Sequence, residues 1–157
     1  MTVKLLEDTP SAQRQHWVGV LAKADSTALR RLVESWGPVP DYERLRGPEI
    51  GLVMVRGRAG GTGAAFNLGE MTVARCSVRL PDGTLGHAYI GGRDLEHCET
   101  AAWLDALLQT PAQHDALVEG VIAPLEREAA EREALAARKA AATRVEFFTM
   151  ATEASGS

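Results

Sequence analysis

The chain has 157 residues, 45% of them hydrophobic and 24% charged, with a net charge of -4 and a sequence pI near 5.6. That length and usage fit one ordinary domain with a real core and exclude wholesale disorder or a collagen-like repeat. An acidic balance offers no global field for a polyanion, so no nucleic-acid partner is expected, and no run of about 18 apolar residues is present to cross a membrane. The amino-terminal MTVKLLEDTPSAQ does not read as a secretory signal, so a cytoplasmic location is expected. Two cysteines, Cys76 and Cys98, are too few for a four-thiolate iron–sulfur cluster or a Cys-rich zinc site and read as small buried residues; no metal site is expected.

The first forty residues predict two helices. Apolar residues recur at helical spacing through Trp17, Val18, Val20 and Leu21, then through Leu29, Leu32 and Val33. Thr9 or Ser11 and Asp25 or Ser26 supply caps, and Gly37, Pro38 and Pro40 stop the second helix.

From Tyr42 to Gly92 the chain shifts to β-rich runs broken by glycine-rich turns, the pattern of an antiparallel meander. Four strands are expected, near Tyr42–Arg46, Ile50–Arg58, Glu70–Leu80 and Leu85–Gly91, with the connection AGGTGAAFNLG between the second and third. Pro81-Asp82-Gly83 suits a type I turn with a left-handed glycine after it, which pairs Leu80 with Thr84, Val78 with Gly86, Cys76 with Ala88 and Arg75 with Tyr89. One face then carries Ala74, Cys76, Val78, Leu80, Ala88 and Ile90, the core side. The other carries Met71, Val73, Arg75, Ser77, Arg79, Leu85, His87 and Tyr89, too apolar for bare solvent and too charged for a dry core, as a partner or ligand face would be.

Beyond Gly92 a helix is predicted through Leu95, Cys98, Ala102, Trp103 and Leu107. Thr110-Pro111 opens another that runs through Leu117, Val121 and Leu125, with Pro124 kinking or restarting it. EREAAEREALAARKAAA is a strong helix former without a wide apolar stripe, so it is expected to project. The cluster Val145, Phe147, Phe148 and Met150 beyond it reads as a docking tail, or else folds back on its own sheet. The expected fold is α+β: amino-terminal helices, a four-stranded antiparallel meander, then a helix and a long projecting carboxyl-terminal helix with an aromatic tail. Residues 1–125 form the domain and 126–157 the arm and tail.

The glycines Gly60, Gly61 and Gly63 would let backbone amides approach an anion, but they lack the lysine of a P-loop and are not the GxGxxG of a dinucleotide fold. Arg56, Arg58, Arg75, Arg79 and Arg93 suit phosphate oxygens or an interface. His97 is the histidine best placed for acid–base work; it adjoins Cys98, yet neighbours on a helix point about 100 degrees apart and do not share a metal or form a nucleophile–base pair. No GxSxG, HExxH or CxxC is present. The candidate catalytic residue is therefore His97 alone, and the candidate ligand or interface contacts are Arg58, Gly60, Gly61, Gly63, Arg75 and Arg93.

The strings GGTGAAFNLGEMTVARCSVRL, DGTLGHAYIGGRDLEHCETAAWLDALLQ and VEFFTM, in that order, resemble the PhnG family of the bacterial carbon–phosphorus lyase complex, and the likeness extends from RQHWVGVLA at Arg14 to Phe148. The resemblance implies a subunit working with PhnH, PhnI and PhnJ in phosphonate catabolism under phosphate starvation. The implied reaction displaces the purine base of a nucleoside triphosphate by an alkylphosphonate, giving ribose 1-phosphonate 5-triphosphate. Base displacement falls chiefly to PhnI, and an iron–sulfur cluster and S-adenosylmethionine are expected in PhnJ, with no cofactor on this chain. No catalytic motif is carried onto these positions. A free-standing phosphate- or nucleotide-binding module is the alternative, as is direct chemistry by His97.

Overall fold

The computed structural model describes residues 10–142. Helices α1 (Pro10–Lys23) and α2 (Ser26–Trp36) lead into strand β1 (Glu43–Arg58), a single 3-10 turn (Ala59–Gly61), β2 (Ala65–Arg79) and β3 (Leu85–Gly91). Helices α3 (Leu95–Leu108) and α4 (Pro111–Leu117) follow, then a π-helical turn (Val118–Ile122) and the long helix α5 (Ala123–Ala142). Asp25 caps α2 by accepting the Ala28 amide at 3.0 Å, and Asp94 caps α3 by accepting the His97 amide at 2.9 Å.

The class is α+β, but the sheet has three strands, in the order β1-β2-β3, rather than the four expected. The expected break at Gly47-Pro48 is no break. Those residues bulge out of one long strand between Arg46, opposite Ser77, and Glu49, opposite Arg75. A proline cannot donate to a ladder, yet β1 lies at the sheet's edge, where one side needs no donor and a bulge absorbs the extra residue. The helical order after the sheet is corrected too: three helices follow, not two. Pro124 has no amide for an i−4 bond, and the chain meets this by lengthening one turn, with the Ala123 amide bonding the Val118 carbonyl.

The β2–β3 hairpin pairs as the turn residues dictate, with Val78 opposite Gly86, Cys76 opposite Ala88 and Arg75 opposite Tyr89. Leu80 and Thr84 bond at 2.9 Å, and Gly83 takes φ +91. Ala74, Cys76, Val78, Leu80, Ala88 and Ile90 are buried beneath α3, together with Leu104 and Leu108 of that helix and Trp17, Leu21 and Leu29 of the first two helices. The approach of α3 to the sheet is closest at Gly86, where a Cβ would lie 2.0 Å from the Ala102 carbonyl oxygen; only glycine fits.

Helix α5 is anchored at its root and bare beyond it. Leu125 is buried, Glu126 meets His16 at 2.6 Å, and Glu128 pairs with Arg31. Residues 131–142 are all exposed, with Arg132 reaching back to within 3.9 Å of Asp25. Val145, Phe147, Phe148 and Met150 lie outside the described residues.

Candidate functional site

The sheet has two different surfaces, and the residues singled out from the sequence are distributed over both. On the outer face, Arg75 bonds Glu49 at 2.7 Å and Arg79 bonds Glu43 at 2.6 Å, so both guanidiniums are spent on cross-strand pairs with β1. Arg75 also lies flat over Gly51, whose missing side chain makes room for it: a Cβ there would sit 3.3 Å from the guanidinium carbon. Ser77 and His87 meet at 2.9 Å, Val73 is buried, and Met71, Leu85 and Tyr89 stay exposed.

Past the last β3 residue, β1 and β2 continue alone as a two-stranded arm. It ends at the glycine turn, where Gly60 and Gly61 adopt φ +62 and +76, and Gly63 packs so closely that a Cβ would lie 2.7 Å from the Ala59 carbonyl oxygen. The turn is thus a tight hairpin tip. Arg56 and Arg58 are exposed on one face of it and have no acidic partner among the described residues. Arg93 is exposed at the other end of the arm, beside Gly92, whose amide bonds the Thr72 carbonyl at 2.9 Å. Thr72 lies seven positions along β2 from Ala65 at the tip, about 23 Å of extended chain, so the arginines do not converge on one phosphate.

His97 is buried. Its Nε2 lies 2.7 Å from the Leu21 carbonyl; since a carbonyl only accepts, that nitrogen carries the proton and the ring acts as a strut between α3 and α1. It borders a recess of about 180 Å³ with Arg30, Glu34, Glu96 and Trp103, where Arg30 and Glu96 already pair at 2.9 Å.

The densest polar cluster is one that sequence reading missed. Asp105, fully buried, accepts from Arg14 Nε at 3.1 Å, Arg14 Nη2 at 2.7 Å, Trp17 Nε1 at 3.0 Å and the His87 amide at 2.9 Å. The hydrogen bond to Asp105 raises the Arg14 pKa above its already high ordinary value, while partial burial opposes it. One carboxylate thus joins α1, β3 and α3. The signal was present: an aspartate inside the apolar run AAWLDALL has no solvent face and must meet a cation or several N–H groups. A cleft of about 710 Å³ opens beside it, between α1 and α4, but Arg14 is engaged by Asp105 and His114 donates from Nδ1 to the Leu108 carbonyl at 2.7 Å.

The cysteines do not suit a metal or cluster. Cys76 contacts the Arg46 carbonyl and Cys98 the Ala88 carbonyl, both thiols being buried; burial pushes Cys76 up and Cys98 to about 12. Among the described residues no three His, Cys, Asp or Glu side chains stand close enough to hold a metal ion, and no helix is long and apolar enough to cross a membrane.

Here, then, is an α+β domain whose buried polar groups hold it together, while its unspent arginines and apolar side chains sit on an arm and an open sheet face: the makeup of an interaction subunit. The chain belongs to the PhnG family, since the profile described as phosphonate metabolism protein PhnG matches residues 12–152. It is 43% identical over 150 residues to the alpha-D-ribose 1-methylphosphonate 5-triphosphate synthase subunit PhnG of Rhizobium meliloti (strain 1021), covering 94% of each chain.

Proposed function

We propose that this chain serves as an assembly subunit of alpha-D-ribose 1-methylphosphonate 5-triphosphate synthase in phosphonate metabolism. The observation that carries this reading is the end-to-end likeness to the Rhizobium meliloti subunit, 43% over 94% of both chains. An alignment of that length takes in the core, the arm and the long helix.

In this reading the complex displaces the purine base of a nucleoside triphosphate with an alkylphosphonate, and PhnH, PhnI and PhnJ are the partner subunits, working in the cytoplasm. The same reading assigns the iron–sulfur cluster and S-adenosylmethionine to PhnJ and no cofactor to this chain, whose two thiols are both buried. The contribution of this chain is surface. Arg58, Gly60, Gly61 and Gly63 at the arm tip, Arg75 on the outer face, Arg93 at the arm's root and the tail Val145, Phe147, Phe148 and Met150 are the contacts to partners or to the substrate the complex holds. A side chain as enclosed as His97 supports the fold in this scheme.

The test is affinity capture of tagged full-length chain expressed with the other three subunits, beside a chain lacking residues 145–157. The full chain should return all three partners, and the shortened one should fold yet lose them. Normal assembly of the shortened chain would refute the docking role of the tail. A monomer that captures nothing and binds nucleotide in calorimetry would replace the subunit reading with that of a free-standing ligand module.

A further inference from the structure

The two-stranded arm beyond the body has apolar residues on both faces. The pairing of Ile50 with Ala74, Leu52 with Thr72 and Met54 with Glu70 puts Ile50, Leu52 and Met54 on the face that α3 covers further down the sheet. The pairing of Val53 with Met71 and of Gly57 with Phe66, past a bulge at Leu68, puts Met71 and Phe66 on the opposite face. A Cβ on Gly57 would meet the Leu68 and Phe66 side chains, so Leu68 joins that second face. All six large side chains are between 45% and 66% exposed.

Such a ribbon is not a stable solvent structure. A lone two-stranded hairpin is marginal in water, and here neither edge is paired with another strand among the described residues, since β1 is the sheet's edge and β3 reaches no further than Val73. Any cover lying on one face, a helix or a flat surface, leaves the other face wet. Burial of both requires two walls. The tip adds a charge pattern: Arg56 and Arg58 extend the Ile50-Leu52-Met54 row past Glu70, which lies opposite Met54, and neither arginine forms an ion pair among the described residues.

We infer that the arm, residues 50–72, inserts into a cleft of a partner subunit that has apolar walls on both sides and carboxylates at its closed end, where Arg56 and Arg58 arrive. A second copy of this chain fits less well. Two arms laid tip to tip oppose arginine to arginine. The inference rests on the subunit reading above and adds the surface and the shape of its complement.

The experiment uses full-length chain expressed with PhnH, PhnI and PhnJ, in four forms: wild type, Leu52→Asp on one face, Phe66→Asp on the other, and Arg56→Glu with Arg58→Glu. Each form is also melted alone, and all should unfold at wild-type temperature because the arm lies outside the core. An aspartate forced into a dry wall lacks any partner, so each single variant should lower partner recovery by more than about tenfold. The charge-reversed form should lose recovery too, and wild-type capture should weaken with salt. Loss from only one of the two single variants would make the interface flat and overturn the cleft. Wild-type recovery by both would overturn arm docking altogether. Normal assembly of the charge-reversed form with lost turnover would give the tip arginines a substrate phosphate in place of partner carboxylates. A dimer of the isolated chain that the variants abolish, with assembly intact, would assign the arm to a second copy. Failure of wild type to assemble would instead refute the subunit reading itself.

Discussion

Replacing Asp105 by Asn preserves the shape of the buried carboxylate and removes its charge and one acceptor atom. Its two oxygens divide four donors between them: Oδ1 takes Arg14 Nε and Trp17 Nε1, and Oδ2 takes Arg14 Nη2 and the His87 amide. Whichever way the new amide turns, its NH2 faces two N–H groups. Leaving a buried donor unsatisfied costs about 1–3 kcal/mol, and breaking one side of a buried ion pair about 3–5. The Arg14 side chain is 37% exposed and turns to water at small cost, which places the total near the lower bound, about 3 kcal/mol. For a chain of this size that is a drop of about 6–12 °C in melting temperature, out of a stability of roughly 5–15 kcal/mol. Urea and thermal unfolding followed by far-ultraviolet circular dichroism measure it directly. Arg14→Ala should cost a similar amount, and the double variant much less than the sum, because both act through one pair. Asp105→Asn melting within about 1 °C of wild type, or strict additivity with Arg14→Ala, would refute the claim that this carboxylate joins the three elements.

Gly86→Ala should cost about 3 kcal/mol or more, at the top of the overpacking range, whereas Gly69→Ala, with open space around its Cβ, should change stability by less than about 0.5 kcal/mol; denaturant midpoints of the two variants decide it. For Cys98, whose folded pKa of about 12 exceeds the ordinary value of 9.0, the folded state holds the proton longer than the unfolded one, so its contribution to stability is complete below about pH 9 and is lost as pH rises toward 12. Unfolding free energy followed from pH 8 upward should therefore fall, and more gently in Cys98→Ala; identical slopes would contradict the burial argument. His97→Ala should lower stability by about 1–3 kcal/mol by orphaning the Leu21 carbonyl, while turnover per assembled complex stays within about twofold. A hundredfold loss of turnover would give the imidazole a chemical role instead.

What the sequence made legible is local. Pro81-Asp82-Gly83 specifies one turn, the turn specifies a register, and period two then assigns every side chain of β2 and β3 to a face. Asp25 could be read as a cap because a cap acts within three residues. The missing pieces are those fixed from far along the chain. The importance of Gly86 depends on Ala102, that of Asp105 on Arg14 and Trp17 some ninety positions earlier, and that of His97 on Leu21. Gly47-Pro48 misled for a different reason: a proline ends a central strand but only bulges an edge strand, and which strand is the edge is a tertiary fact. Of the candidate site, the mixed outer face could be read from alternation. The pairing that consumes Arg75 and Arg79 could not, since Glu49 and Glu43 reach them only across the bulged register of β1.

The role proposed for this chain is that of an indispensable member of the synthase that leaves base displacement to its partners. It is tested most directly by reconstituting the synthase from purified subunits with and without this chain and following release of free purine base from a nucleoside triphosphate in the presence of methylphosphonate. Base release is expected from the full set, with none above background when this chain alone is omitted and none from this chain by itself. Undiminished base release in its absence, or base release by the isolated chain, would contradict it.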